Sequence, residues 1–259
     1  MARPRASTLM PFVLALVLLL VVGLLWTVVL RDFRGAQAVD AGPASPSPTS
    51  STTEGPAPEP GWTMAEVRDA IAPSDSRTLV LGDSTGDGYD EWVHLWAKAD
   101  GLPIATWRAE AESGYESESP ETRVWSGSAP DATAAYPVEH SDEIWPSVDP
   151  DLVMLSYGHA QESPDEATEQ LEALRADIAN RVEQAPIVVI LQNPAAHDAD
   201  ADMREAIAAW AEEAGLPTID IAEAFEDSAM GEADLRLDSF HPSGAGSQLW
   251  AETVGEAIG

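Results

Sequence analysis

The sequence predicts a three-layer α/β/α domain with a mostly parallel central sheet, set behind a long non-globular N-terminal segment. Three observations predict it. Short apolar runs at 78–82, 103–107, 151–157, 186–191 and 216–221 alternate with stretches of helical period. Pro186-Ile187-Val188-Val189-Ile190-Leu191 is almost continuously apolar, as a strand buried on both faces must be. The chain of 259 residues has no cysteine, and a domain of this size buries enough core to fold without disulfides.

The N-terminal part comes first. Residues 1–8 carry Arg3 and Arg5, and residues 9–30 form an uncharged apolar run closed by Arg31. At about 1.5 Å per residue such a run spans a hydrocarbon core of about 30 Å. The flanking charges favour a cytoplasmic N-terminus and an extracytoplasmic main domain. The rival reading is a signal peptide cleaved near Ala38, since Ala36-Gln37-Ala38 has the small-x-small form of a cleavage site. Residues 31–61, and 39–61 above all, are rich in Pro, Ser and Thr and read as a disordered tether. The folded domain is expected over 62–259.

Trp62 to Ile71 is predicted as a short helix stopped by Pro73. Strand 78–82 runs into Gly82-Asp83-Ser84, a turn that presents a serine at the mouth of a parallel sheet with a helix starting beneath it. Tyr89 to Ala99 carries Trp92, Leu95, Trp96 and Ala99 on one helical stripe; His94 lies off it and is expected in solvent or at an edge. Strand 103–107 follows. The stretch 108–148 is irregular, with a short strand around Arg123-Val124-Trp125 and aromatics Tyr115, Trp125, Tyr136 and Trp145 that either pack or line a site. Strand 151–157 ends at Gly158. Ser163-Pro164-Asp165-Glu166 opens a helix as N-cap, N1 proline and acidic first turn. Strand 186–191 ends at Gln192-Asn193-Pro194. A helix over 200–213, a strand over 216–221, a helix over 222–230 and a terminal helix over 243–258 complete the order. Ligands of such folds bind outside the carboxyl ends of the strands, where 82–86, 156–161 and 192–194 fall.

Chemistry concentrates at Ser84 and at Asp238-Ser239-Phe240-His241-Pro242, far apart in sequence. On a loop entering the last helix, Asp238 can hold one imidazole nitrogen of His241 while the other faces Ser84. That supplies a hydroxyl nucleophile, a base near neutrality and an orienting carboxylate. Gly82-x-x-x-Gly86-x-Gly88 lacks the Lys-Ser/Thr of a phosphate loop. His94, His140, His159, His197 and His241 are scattered without metal-ligand spacing. No cofactor and no metal is expected.

Gly82-Asp83-Ser84 and Asp238-x-x-His241 resemble the SGNH/GDSL esterase and acyltransferase superfamily over roughly 76–259. The resemblance implies a flavodoxin-like fold with Ser84 as nucleophile, His241 as general base and Asp238 as orienting acid. It implies an oxyanion hole that includes the Ser84 backbone N–H and the glycine of a second block, for which Gly114 and Gly127 compete and Gly127 is preferred. The third block of the family reads Gly-x-Asn, whereas this chain reads Gly158-His159-Ala160, with no donor at 160. His159, Gln161 or Asn193 would then replace it, although His159 also reads as a strand-end histidine packed beside the site.

Charge excludes some partners. Residues 1–61 are neutral overall, while 62–259 hold 9 basic and 41 acidic side chains, giving a net charge of −32. Such a surface repels nucleic acid and anionic headgroups. The expected function is a serine esterase acting on an ester-bearing small molecule or a cell-envelope glycan or lipid. The alternatives are an O-acyltransferase or deacetylase acting on a glycan, and a non-catalytic envelope binding module.

Overall fold

The computed structural model describes residues 61–182 and 184–259. The predicted membrane helix at 9–30, residues 1–8 and the tether up to residue 60 lie outside the described residues. No helix among the described residues is long and apolar enough to cross a membrane.

Seven strands form one sheet: β1 (Thr78–Gly82), β2 (Ile104–Trp107), β3 (Tyr115–Glu116), β4 (Val124–Ser126), β5 (Leu152–Ser156), β6 (Ile187–Leu191) and β7 (Thr218–Asp220). Their order is β3-β2-β4-β1-β5-β6-β7, and every pairing is parallel except β2 with β3. From β1 the chain moves to one side of the sheet, and from β5 it builds the other. The switch of direction beside β1 opens a crevice at the carboxyl end of that strand. The register Gly82↔Ser156 brings the ends of β1 and β5 level there.

Side-chain alternation divides the core into two layers. Leu79, Leu81, Val153, Leu155 and Val189 face the helices α5 (Pro164–Arg181) and α6 (Ala201–Glu213). Val80, Met154, Val188 and Ile190 face α1 (Met64–Ile71), α2 (Trp92–Ala99), α7 (Ile221–Glu226) and α9 (Gly244–Ile258). Short helices α3 (Tyr136–Glu139), α4 (Ser141–Ile144) and α8 (Glu232–Leu235) stiffen the connections. Helix starts follow their caps: Thr63 and Glu66 form a reciprocal capping box on α1, and Ser163 accepts the Glu166 N–H at the start of α5.

Several elements differ from the sequence reading. Helix α2 begins at Trp92, not Tyr89, so no helix starts directly beneath Ser84; residues 85–90 form turns instead. His94 is buried, its Nε2 3.1 Å from the Thr106 hydroxyl of β2, because α2 is enclosed on more than one side. The helix predicted over 222–230 stops at Glu226, and α8, β3, α3 and α4 carry too few residues to show a period. The aromatics of 108–148 pack: the Tyr115 hydroxyl donates to the Ile144 carbonyl, and the Trp125 indole donates to Glu118 at 3.0 Å. Trp145 stacks under the Arg181 guanidinium, whose carbon lies 5.5 Å from the ring centre.

Helices α2 and α9 lock through Trp92 and Trp250, fully buried and stacked at 5.4 Å with planes 3° apart. Truncating such a side chain leaves a large cavity. Trp250→Ala is expected to cost about 3–5 kcal/mol of stability, read as a shift of the urea unfolding midpoint.

Candidate active site

Ser84 stands in the turn that leaves β1. The turn is tight because Gly82 has no side chain: a Cβ there would lie 2.9 Å from the Ser128 hydroxyl and 3.1 Å from the Ser156 carbonyl oxygen. Asp83 is buried and points down from the turn. Its Oδ1 accepts the Thr85 N–H at 3.0 Å and the Thr85 hydroxyl at 2.7 Å. Its Oδ2 accepts Gln192 Nε2 at 3.0 Å. The second Nε2 proton of Gln192 has the Ser156 carbonyl at 3.1 Å, and Gln192 Oε1 accepts the His159 N–H at 3.1 Å. One amide therefore ties together the ends of β1, β5 and β6. Its orientation is fixed, since a flipped amide would set oxygen against carboxylate.

The second half of the site is the eight-residue loop 236–243 between α8 and α9. An isolated bridge pairs Arg236 with Pro242, and the Leu237 N–H donates to the His241 carbonyl at 2.9 Å. Helix α9 enters beneath it, capped by Ser243. Gly246 is obligatory there, for a Cβ would stand 2.1 Å from the Leu235 carbonyl oxygen. Inside the loop, Asp238 Oδ1 accepts the backbone N–H of Phe240 at 3.0 Å and of His241 at 2.9 Å. Its Oδ2 lies 2.7 Å from His241 Nδ1. The other ring nitrogen, Nε2, lies 3.1 Å from Ser84 Oγ. Ser84, His241 and Asp238 are thus brought into one hydrogen-bonded line. Burial pushes the Asp238 carboxyl up, but the His241 ring and the two backbone amides outweigh it and hold it at about 2. Asp238 is therefore an anion across the neutral range, which fixes the His241 tautomer with its proton on Nδ1.

The remaining predicted positions divide. No hydrogen bond among the described residues takes up the N–H of Ser84, which stays free to receive negative charge. The Gly127 N–H donates to the Val80 carbonyl at 2.7 Å, so the ladder of the sheet has claimed the donor assigned to it from sequence. Gly114 lies in the β3 loop with φ +66. Asn193 is wholly buried, and its amide donates to the Phe240 carbonyl at 2.9 Å. Its amide donates also to the Pro194 carbonyl at 3.3 Å, so both donors are spent. His159 Nδ1 lies 3.2 Å from Asp200 Oδ2, and its ring packs 5.4 Å from that of Phe240. Among the described residues no cluster of His, Cys, Asp and Glu is arranged to hold a metal.

Sequence reading missed four contributors. Gln192 and Asp200 sit at a strand end and a helix start, where nothing but their polarity beside a buried strand marks them. Asp87 and Glu91 are half-buried carboxyls on the turn after Ser84 that perturb one another, with Glu91 accepting the Gly88 N–H at 2.7 Å. Burial, and then the Asp87 charge, push the Glu91 carboxyl up to about 7, against the Gly88 N–H and the field of His241.

Two outcomes are expected from this geometry. Gln192→Leu leaves the Asp83 carboxylate buried without its amide partner and costs about 1–3 kcal/mol or more, measured by urea unfolding. Glu91 has the opposite sign to a paired carboxylate. Its folded pKa lies above the usual 4.5, so the folded state holds the extra proton. Stability is fully present below that value and falls as pH rises through about 7. Glu91→Gln is expected to flatten this decline, raising the unfolding midpoint on the alkaline side of the window and leaving it unchanged on the acid side.

Comparison with known proteins agrees with the fold and the motif. The sequence profile of the GDSL-like lipase/acylhydrolase family matches residues 50–249. No curated protein matches the chain. Among solved structures, an acetyl-xylooligosaccharide esterase from Geobacillus stearothermophilus is 18% identical, with a TM-score of 0.55 over 72% of this chain and 95% of its own. Its serine-to-alanine and histidine-to-alanine variants are catalytic mutants. A lipase/acylhydrolase from Enterococcus faecalis is 19% identical, with a TM-score of 0.53 over 70% of this chain and 95% of its own. A lipolytic protein of the G-D-S-L family from Veillonella parvula is 16% identical, with a TM-score of 0.52 over 70% of this chain and 97% of its own. These likenesses are likenesses of fold, and the profile match spans most of the sequence: the chain belongs to the GDSL-like lipase/acylhydrolase family.

Proposed function

We propose that the protein is a serine esterase in which Ser84 is the nucleophile, His241 the general base and Asp238 the orienting acid. The observation that carries this reading is the line from Asp238 Oδ2 through His241 to Ser84 Oγ, with contacts of 2.7 and 3.1 Å. His241 Nε2 takes the Ser84 proton as Oγ bonds to the ester carbonyl carbon. The tetrahedral oxyanion collapses, the bond to the alcohol oxygen breaks, and His241 returns the proton to that oxygen. A water then gives a proton to His241 and attacks the acyl-enzyme. Collapse breaks the bond to Ser84, which regains its proton, and a carboxylic acid leaves. Asp238 stabilises the imidazolium formed in each half. The N–H of Ser84 gives the oxyanion one donor.

The apolar run 9–30 and the tether to residue 61 support placing this domain outside a membrane, against esters of an envelope glycan, a lipid or a small molecule. The acetyl esterase of similar fold supports a short acyl group. Ala160 favours a second reading, a binding module that keeps the triad without turnover.

Two measurements decide. A fluorophosphonate probe is expected to label the wild-type chain and not Ser84→Ala, and p-nitrophenyl acetate hydrolysis is expected to fall by about 10⁴ or more in Ser84→Ala. Labelling that is absent, or that does not depend on Ser84, sinks the esterase reading and leaves the binding module. Carbonate-washed membranes should retain the full chain and release one lacking residues 1–38; retention of both would sink the anchor.

A further inference from the structure

We infer that Gln161 supplies the side-chain oxyanion donor that position 160 lacks, so that the third donor block of this chain is displaced by one residue. The inference rests on the acyl-transfer reading above.

Unpartnered polar atoms single out the region. Ten buried side-chain nitrogen and oxygen atoms have no hydrogen-bond partner among the described residues, and six of them lie on the loops at the carboxyl ends of β4, β5 and β6. These belong to Ser128, Tyr157, His159, Gln161 and Asn193. Buried polar groups are rarely left unpaired, and a cluster of them at the mouth of the sheet calls for partners from outside the chain, water or ligand.

Elimination then selects among them. The oxyanion needs an N–H or O–H aimed at it. The Gly127 N–H is held by Val80. Asn193 has spent its amide protons on Phe240 and Pro194, and its unpartnered atom is an oxygen. His159 is tied through Nδ1 to Asp200 and packed against Phe240, which holds its ring with the His241 loop. The Ser128 hydroxyl is wedged between the two arms of the turn, within 2.9 Å of a Cβ position on Gly82 and 3.1 Å of one on Gly86. Tyr157 belongs to the core packed with Leu81, Tyr115 and Leu155. Gln161 remains. It is 7% exposed, and both Nε2 and Oε1 are without partners.

Its placement agrees. Gly82↔Ser156 sets the end of β5 beside the nucleophile turn. The segment beyond is pinned there by the His159 N–H on Gln192, whose other end holds Asp83. Glutamine at 161 offers the same carboxamide as asparagine at 160, one residue later and one methylene longer. Its desolvation is already met in the folded state, so it would meet the charge without reorganisation.

The test compares Gln161→Met, which keeps the shape and loses the donor, with Gln161→Met combined with Ala160→Asn. Gln161→Met is expected to lower kcat for p-nitrophenyl acetate and the fluorophosphonate labelling rate by about 10²–10³, with KM changed by less than about threefold and a thermal midpoint no lower than that of the wild type. Ala160→Asn in that background is expected to restore at least about tenfold of the loss, which a merely structural defect would not allow. Should Gln161→Met fail to fold, Gln161→Glu, isosteric and without the amide protons, reads out the same loss. Wild-type kcat in Gln161→Met, with turnover still dependent on Ser84, overturns the inference and leaves the esterase standing. A loss that Ala160→Asn does not rescue overturns the donor role and makes Gln161 a packing residue. Absence of Ser84-dependent labelling in the wild type overturns both readings together.

Discussion

The Asp83 carboxylate and the Gln192 amide that holds it set the frame of the site. A carboxylate buried beneath a turn is costly unless every lone pair is met. Here Thr85 meets one oxygen twice and Gln192 meets the other. Because Gln192 also accepts from His159 and donates to Ser156, the strand ends β1, β5 and β6 cannot slide independently. Ser84 projects from the top of this assembly. Its position is fixed by groups beneath it that never face the substrate side.

The His241 loop solves the same problem with different material. It carries no regular structure, yet Asp238 accepts two backbone amides and the imidazole at once. Asn193 grips the loop from the end of β6 through the Phe240 carbonyl, and the Ala196 N–H donates to Ser239 at 2.6 Å. Both residues at the end of β6 therefore serve the site from below, Gln192 toward the serine and Asn193 toward the histidine. Alignment of Ser84 with His241 depends on one strand end supporting both halves.

The fold was legible because its central strands are short, apolar and buried on both faces, so that runs such as 186–191 differ sharply from the helices between them. The Ser84 turn and the Asp238-x-x-His241 loop were legible because their chemistry is written in consecutive residues. What escaped depends on long-range contact. Gln192 pairs with Asp83 across 109 residues, and no local pattern announces a glutamine that bridges strands. His94 was expected in solvent or at an edge because its helix shows one apolar stripe; β2, through Thr106, and Tyr89 bury the next face as well. Gly127 was assigned as a donor from its place in a motif, but a backbone N–H has only one proton and the neighbouring strand had already taken it. Helices of four residues, such as α3 and α8, are shorter than the period by which a helix is recognised.

Tight packing and unpaired polarity meet at the same edge of the sheet. A buried polar atom without a partner costs about 1–3 kcal/mol, and the loops after β4, β5 and β6 hold six of them. A chain selected for stability alone would replace such groups with apolar ones of similar shape. Ala160 shows that apolar replacement is tolerated in this segment. A carboxamide one residue later, with no partner from the protein, is what the donor role inferred above accounts for. The two-layer core beneath, with β1, β5 and β6 buried on both faces, supplies the stability that lets the edge remain polar, unpaired and in place.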